Sequence, residues 1–155
     1  MVSLKKYKKI VILSGGISDE REISNLTSKE VFKELKKDYD VTLINVTDNC
    51  QKLIESLLNN KPDIVFNCLH GFFGEDGQIQ SILNYLKIRY THSGVLTSSI
   101  LMNKEVSKKI FNSLGVNTPV SVNLDQIKKK KINFPLIIKP VSGGSSNGLV
   151  KVNNA

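Results

Sequence analysis

Three glycine-punctuated stretches of this chain set reactive side chains where a ligand could reach them. In SGGISDERE, residues 14–22, glycines that permit a tight turn lead to a helix start, whose free N-H groups favour an anion. Glu22 has capping-box spacing from Asp19, whereas Glu20 has no such local role. A carboxylate there suits a cation such as a substrate ammonium. The spacing fails the G-x-G-x-x-G pattern of dinucleotide sites after Gly16. In NCLHGFFGEDGQ, residues 67–78, His70 follows an apolar run, and Gly71, Gly74 and Gly77 keep bulk away from it. By type alone a single histidine reads as a satisfied structural residue; its position points towards a ligand site. Asp76 can start the helix that follows. In GGSSNG, residues 143–148, two glycines match the first half of a phosphate loop, but Leu149 and Val150 stand where Lys and Ser or Thr are required. A Walker-type site is excluded. What remains is a donor-rich hairpin tip preceded by Lys139, able to close over nucleotide phosphates or to be a plain surface turn.

The elements that must position these groups alternate. Residues 9–14 (KIVILS), 41–46 and 63–69 (DIVFNCL) are short apolar runs of parallel-strand type, and 88–91 offers a fourth. Between them, Ile23, Leu26, Thr27, Val31 and Leu35 mark one helix, 51–59 a second, and Ile79, Ile82, Leu83 and Leu86 a third. This alternation predicts βαβ units with right-handed crossovers onto a parallel sheet, an α/β domain over residues 1–92. Strands one and three should be neighbours at the switch point, so Glu20 and His70 should face one crevice at the carboxyl ends of the strands. Residues 93–155 read as the first part of a second domain. Val106, Ile110, Phe111 and Leu114 mark a helix ending at Gly115, 118–122 and 134–139 are strand-like, and a lysine-rich helix lies between them.

Composition narrows the function classes. The 155 residues carry a formal charge of +8, with 40% hydrophobic residues, and no apolar run is long enough to span a bilayer. Together with the lack of a cleavable leader, this makes a cytoplasmic, non-membrane protein the expectation. Only two of the 22 basic residues are arginine, the residue expected for bidentate phosphate or guanine recognition, so the charge does not argue for nucleic acid. The Lys128 to Lys131 run reads as a solvated helix face. Cys50 and Cys68 lie outside any C-x-x-C pattern and read as reduced structural thiols.

GGISDEREIS, LHGFFGEDGQIQ, YTHSGVLTSSILMNKEVSK and FPLIIKPVSGGSSNGLVKV, in this order, resemble the D-alanine-D-alanine ligases of the ATP-grasp superfamily over nearly the whole chain. The resemblance implies a small Rossmann-like, pre-ATP-grasp domain followed by the beginning of an ATP-grasp domain. It implies ATP-dependent joining of two D-alanines through an acylphosphate, for peptidoglycan and the cell wall. Glu20 matches the glutamate that holds the first ammonium, and His70 the histidine beside that substrate. Lys104 and Lys139 match the lysines on the ATP phosphates. Ser145 matches the loop serine that bonds the matching glutamate and a later tyrosine, and Ser146 belongs to the loop that closes over the nucleotide. A homodimer is also implied.

Members of that family run to roughly twice this length. The Mg²⁺ ligands, the adenine pocket, an arginine and the tyrosine loop have no counterpart here; residues 104–155 hold only Glu105 and Asp125 as acidic side chains. The expectation is the N-terminal part of such a ligase, a truncated reading or a fragment with little or no activity alone. A D-alanine-D-lactate ligase and a non-catalytic ligand-binding module are the alternatives.

Overall fold

The computed structural model describes residues 7–122 and 134–154. They fall into two compact units, 1–99 and 100–155. The first holds a three-stranded parallel sheet in the order β2-β1-β3, built from Lys9–Gly15 (β1), Asp40–Val46 (β2) and Ile64–Asn67 (β3). Helix Arg21–Leu35 (α1) links β1 to β2 and Cys50–Asn60 (α2) links β2 to β3, while Gln78–Tyr85 (α3) follows. β1 is central, with Ile10 opposite both Val41 and Ile64, which is why its side chains are buried from Ile10 onwards.

Alternation along β1 divides the core into two layers. Val11 and Leu13 join Leu53 and Leu57 of α2 and Ile79 and Leu83 of α3. Ile10, Ile12 and Cys68 pack instead with Val31, Phe32 and Leu35 of α1. At about 25 cal/mol per Å² of apolar surface, each fully buried Leu or Ile here stabilises the fold by roughly 1.5 to 3 kcal/mol.

α1 departs from its predicted face. Ile23 and Leu26 are 52% and 61% exposed, whereas Ser24 and Ser28 are fully buried. The small serines let the helix approach β1 closely, and the Ser28 hydroxyl meets that of Ser14 at 2.6 Å. The Asp19–Glu22 capping box also does not form. Glu20 is the N-cap residue, without a side-chain cap bond. Ser18 makes the turn instead: its carbonyl accepts from the Arg21 amide at 3.2 Å and its hydroxyl from the Glu20 amide at 3.2 Å.

The fourth strand is reduced to a single parallel bridge between Tyr90 and Val65. The ladder stops because the Asn67 amide donates to the Thr91 hydroxyl, at 3.3 Å, rather than to a carbonyl. α3 begins at a Gly77 N-cap, not at Asp76, although the Asp76 carboxylate does accept from the Gln78 amide at 3.1 Å.

Helix Val95–Met102 (α4) has no predicted counterpart, since VLTSSILM lacks an apolar stripe and centres on poor helix formers. In the second unit Lys104–Ser113 (α5) runs towards Gly115, which has φ +77°. Leu136–Ile138 (β4) and Val150–Val152 (β5) form the expected antiparallel hairpin, shorter than predicted. The strand expected at 118–122 is absent. Pro119 has no N-H for a ladder, and the Lys108 ammonium binds the Pro119 carbonyl and the Ser121 hydroxyl, each at 2.7 Å. The predicted lysine-rich helix, with Asp125 and the Lys128 to Lys131 run, lies outside the described residues. Both cysteines are free thiols. No helix among the described residues is long and apolar enough to cross a membrane.

Candidate functional site

β1 and β3 are neighbours, as the alternation requires, and their carboxyl ends carry the two glycine-rich turns. Glu20 starts α1, where its carboxylate gains from the helix dipole, and it is 8% exposed. His70 lies two residues beyond the core residue Cys68, on the loop leaving β3. Ser18 ties these positions together. Its hydroxyl donates to the His70 carbonyl at 2.7 Å while accepting from the Glu20 amide.

A second link comes from further along α1, where the Thr27 hydroxyl lies 3.2 Å from His70 Nε2. Gly71 completes the corner. Its φ is +66°, and a Cβ there would stand 2.6 Å from Glu20 Oε2. Only glycine admits both that backbone and that carboxylate. The structure thus brings Glu20 and His70 to one corner of the sheet.

The loop itself is held from within. The Gly71 amide donates to the Glu75 carboxylate at 2.7 Å, and the Phe73 amide to that of Asp76 at 2.9 Å. Beneath it sit two buried amides absent from the sequence-based site. Asn67 Nδ2 and Gln80 Nε2 both donate to the Gly74 carbonyl, at 2.9 Å each. Asn67 also contacts His92 Nδ1 at 3.0 Å. Its signal was available: a lone amide inside an apolar strand must be bonded to something. Burial lowers the pKa of His92, the Glu75 charge opposes that shift and the His70 charge adds to it.

A cleft of about 440 Å³ lies elsewhere, lined by Tyr7, Ile64 and residues 84 and 87–90. It is at the amino end of β3, the wrong end of an open parallel sheet for ligand chemistry, and it contains none of the predicted residues.

In the second unit, Lys104 is the first residue of α5, after an Asn103 cap whose side chain accepts from the Glu105 and Val106 amides. Its ammonium donates to the Gly143 carbonyl at 2.6 Å, and its backbone amide to Val141 at 3.0 Å. Lys104 therefore grips the loop between β4 and β5. Ser145 and Ser146 sit on that loop with φ of +50° and +61°, a backbone that non-glycine residues rarely adopt. Lys139 follows β4 immediately and is exposed. Among the described residues, no group of three His, Cys, Asp or Glu side chains could hold a metal ion.

The comparisons with known proteins agree with one another. A family model described as "D-ala D-ala ligase N-terminus" matches residues 48–93. A D-alanine-D-alanine ligase of Pelagibacter ubique is 49% identical over 148 residues, covering 90% of this chain and 48% of that protein. D-alanine-D-alanine ligase B of Mesorhizobium japonicum is 44% identical over 151 residues, covering 95% and 48%. A crystal structure of the Bacillus anthracis D-alanine-D-alanine ligase superposes with a TM-score of 0.80 at 36% identity, over 96% of this chain and 50% of that one. The same enzyme complexed with ATP gives 0.78 at 34% identity, over 95% and 50%. The chain spans about half the length of the relatives it matches. With the α/β fold and the ordered motifs, these matches show that the chain is similar, over most of its length, to the N-terminal half of D-alanine-D-alanine ligases.

Proposed function

We propose that this chain supplies the first D-alanine pocket and the first nucleotide-binding elements of a D-alanine-D-alanine ligase, which joins two D-alanines at the expense of ATP for peptidoglycan. The observation that carries the reading is the convergence of Glu20 and His70 on one corner through Ser18. A nearly buried carboxylate favours a cationic ligand, and an amino acid's ammonium is one. His70 stands beside it as a hydrogen-bonding and electrostatic partner for the same substrate.

Lys104, Lys139, Ser145 and Ser146 take the nucleotide side. A carboxylate and a phosphoryl group repel one another, so ammonium groups must offset their charge and a closed loop must exclude water from the acylphosphate. Lys104 already holds the loop by Gly143, and an ATP phosphate oxygen would compete for the same ammonium. That a similar solved structure is complexed with ATP supports nucleotide binding as such. Among the described residues no group of three His, Cys, Asp or Glu side chains is placed to hold Mg²⁺. With this reading go a cytoplasmic location and a homodimeric assembly.

The test uses the two histidines of the chain as reporters. D-alanine added to the protein should shift the His70 ring resonances, L-alanine should not, and Glu20→Gln should abolish the effect. Equal shifts with both enantiomers, or none with either, would refute the pocket. For the nucleotide side, ATP should perturb the Gly143 and Ser145 amides in the native chain and fail to do so in Lys104→Met.

A further inference from the structure

The side-chain amide of Asn67 is 3% exposed, and its orientation is fixed by the backbone around it. The Leu69 amide must donate, and it reaches Asn67 Oδ1 at 3.1 Å. The Gly74 carbonyl must accept, and it takes one Nδ2 proton at 2.9 Å. Neither bond survives a flip of the amide. The other Nδ2 proton therefore serves His92, whose Nδ1 is 3.0 Å away and must accept. A ring nitrogen that accepts belongs to a neutral imidazole carrying its proton on Nε2. Protonating His92 would set its Nδ1-H against the Nδ2-H of the buried Asn67.

We propose that His92 is a positioning residue: as a neutral acceptor it completes the Asn67 clamp on the loop 68–77, and its protonation loosens that loop. The clamp stands on geometry alone, and its bearing on ligation rests on the reading of His70 as a substrate-side group. The charged groups that act on His92 are Glu75, which favours the protonated ring, and His70, which opposes it; burial, the largest influence, also opposes it. Protons therefore bind His92 more readily when the loop is open. Linkage then makes the open fraction rise as pH falls below 6.5, by up to about tenfold per pH unit, until the closed-state pKa is reached.

Two measurements on the whole chain test this, and neither needs substrate. Ring ¹⁵N spectra at neutral pH should show His92 as the Nε2-H tautomer; an Nδ1-H tautomer would overturn the clamp. Amide exchange of Leu69, Gly71, Phe73 and Glu75, corrected for intrinsic rates, should accelerate as pH falls below 6.5, by no more than about tenfold per pH unit, and level off once His92 is protonated in the closed state. In His92→Gln, whose amide oxygen can still accept from Asn67, the slope should vanish while the urea unfolding midpoint at pH 7.5 stays that of the parent. In His70→Gln the slope should persist. A pH-independent loop in the parent, or an unchanged slope in His92→Gln, refutes the proposal. D-alanine failing to shift His70 at neutral pH, with the slope intact, would strike the substrate reading and leave the clamp standing.

Discussion

Replacing Gly71 by alanine should damage this protein by two separable routes. The first is conformational. At φ +66° a Cβ costs roughly 1 to 2 kcal/mol in any L residue. The second is steric, and it falls on the candidate substrate residue. The new Cβ would lie 2.6 Å from Glu20 Oε2, 0.8 Å inside the 3.4 Å at which it meets Ser18. Glu20 is only 8% exposed, so moving its carboxylate aside should add about 1 to 3 kcal/mol of overpacking. The sum is a loss of roughly 2 to 5 kcal/mol.

Gly16→Ala provides the reference within the same unit. Its φ of +94° carries the backbone cost, but its Cβ would meet only the Leu69 side chain at 3.4 Å. Urea unfolding of Gly71→Ala, Gly16→Ala, Glu20→Ala and the Gly71→Ala/Glu20→Ala double variant separates the two routes. With the carboxylate gone, Gly71→Ala should cost no more than Gly16→Ala. The resulting coupling should be about 1 kcal/mol or more, favouring the double variant. Strict additivity would refute the idea that Gly71 exists to admit Glu20.

Further outcomes follow from the same contacts. Asn67→Ala strands the Leu69 amide in a buried setting and removes one of two donors to the Gly74 carbonyl, so unfolding by urea should show a loss of about 2 to 4 kcal/mol. Cys50 is exposed, whereas burial pushes the Cys68 thiol up to about 11, so an aromatic disulfide reagent at pH 8 should titrate one thiol quickly in the native chain and two after denaturation. Two fast thiols would contradict the buried position of Cys68. Lys104→Met removes the ammonium bond to Gly143, so exchange of the loop amides around Gly143 to Gly148 should quicken by about 3- to 10-fold, with unit 1 unaffected.

Local pattern in the sequence was enough for the parallel sheet, the adjacency of β1 and β3, and the placing of Glu20 and His70 after the carboxyl ends of those strands. A continuous apolar run such as KIVILS can be satisfied only between two covering layers, and two turns on adjacent parallel strands must open to the same edge. The glycines after His70 and the β4–β5 hairpin were legible for similar reasons of backbone freedom. Tertiary packing decided the rest. Hydrophobicity turned Ile23 and Leu26 inward on paper, but the narrow gap above β1 admits Ser24 and Ser28 instead. Asp19 and Glu22 had capping spacing, yet Ser18 was already bonded to the His70 carbonyl and took the turn. The clamp on loop 68–77 joins Asn67 to His92 across 25 residues, a distance that no local periodicity encodes. Pattern in the chain named the groups that could touch a ligand; the buried polar contacts that hold them there exist only once the backbone has closed around them.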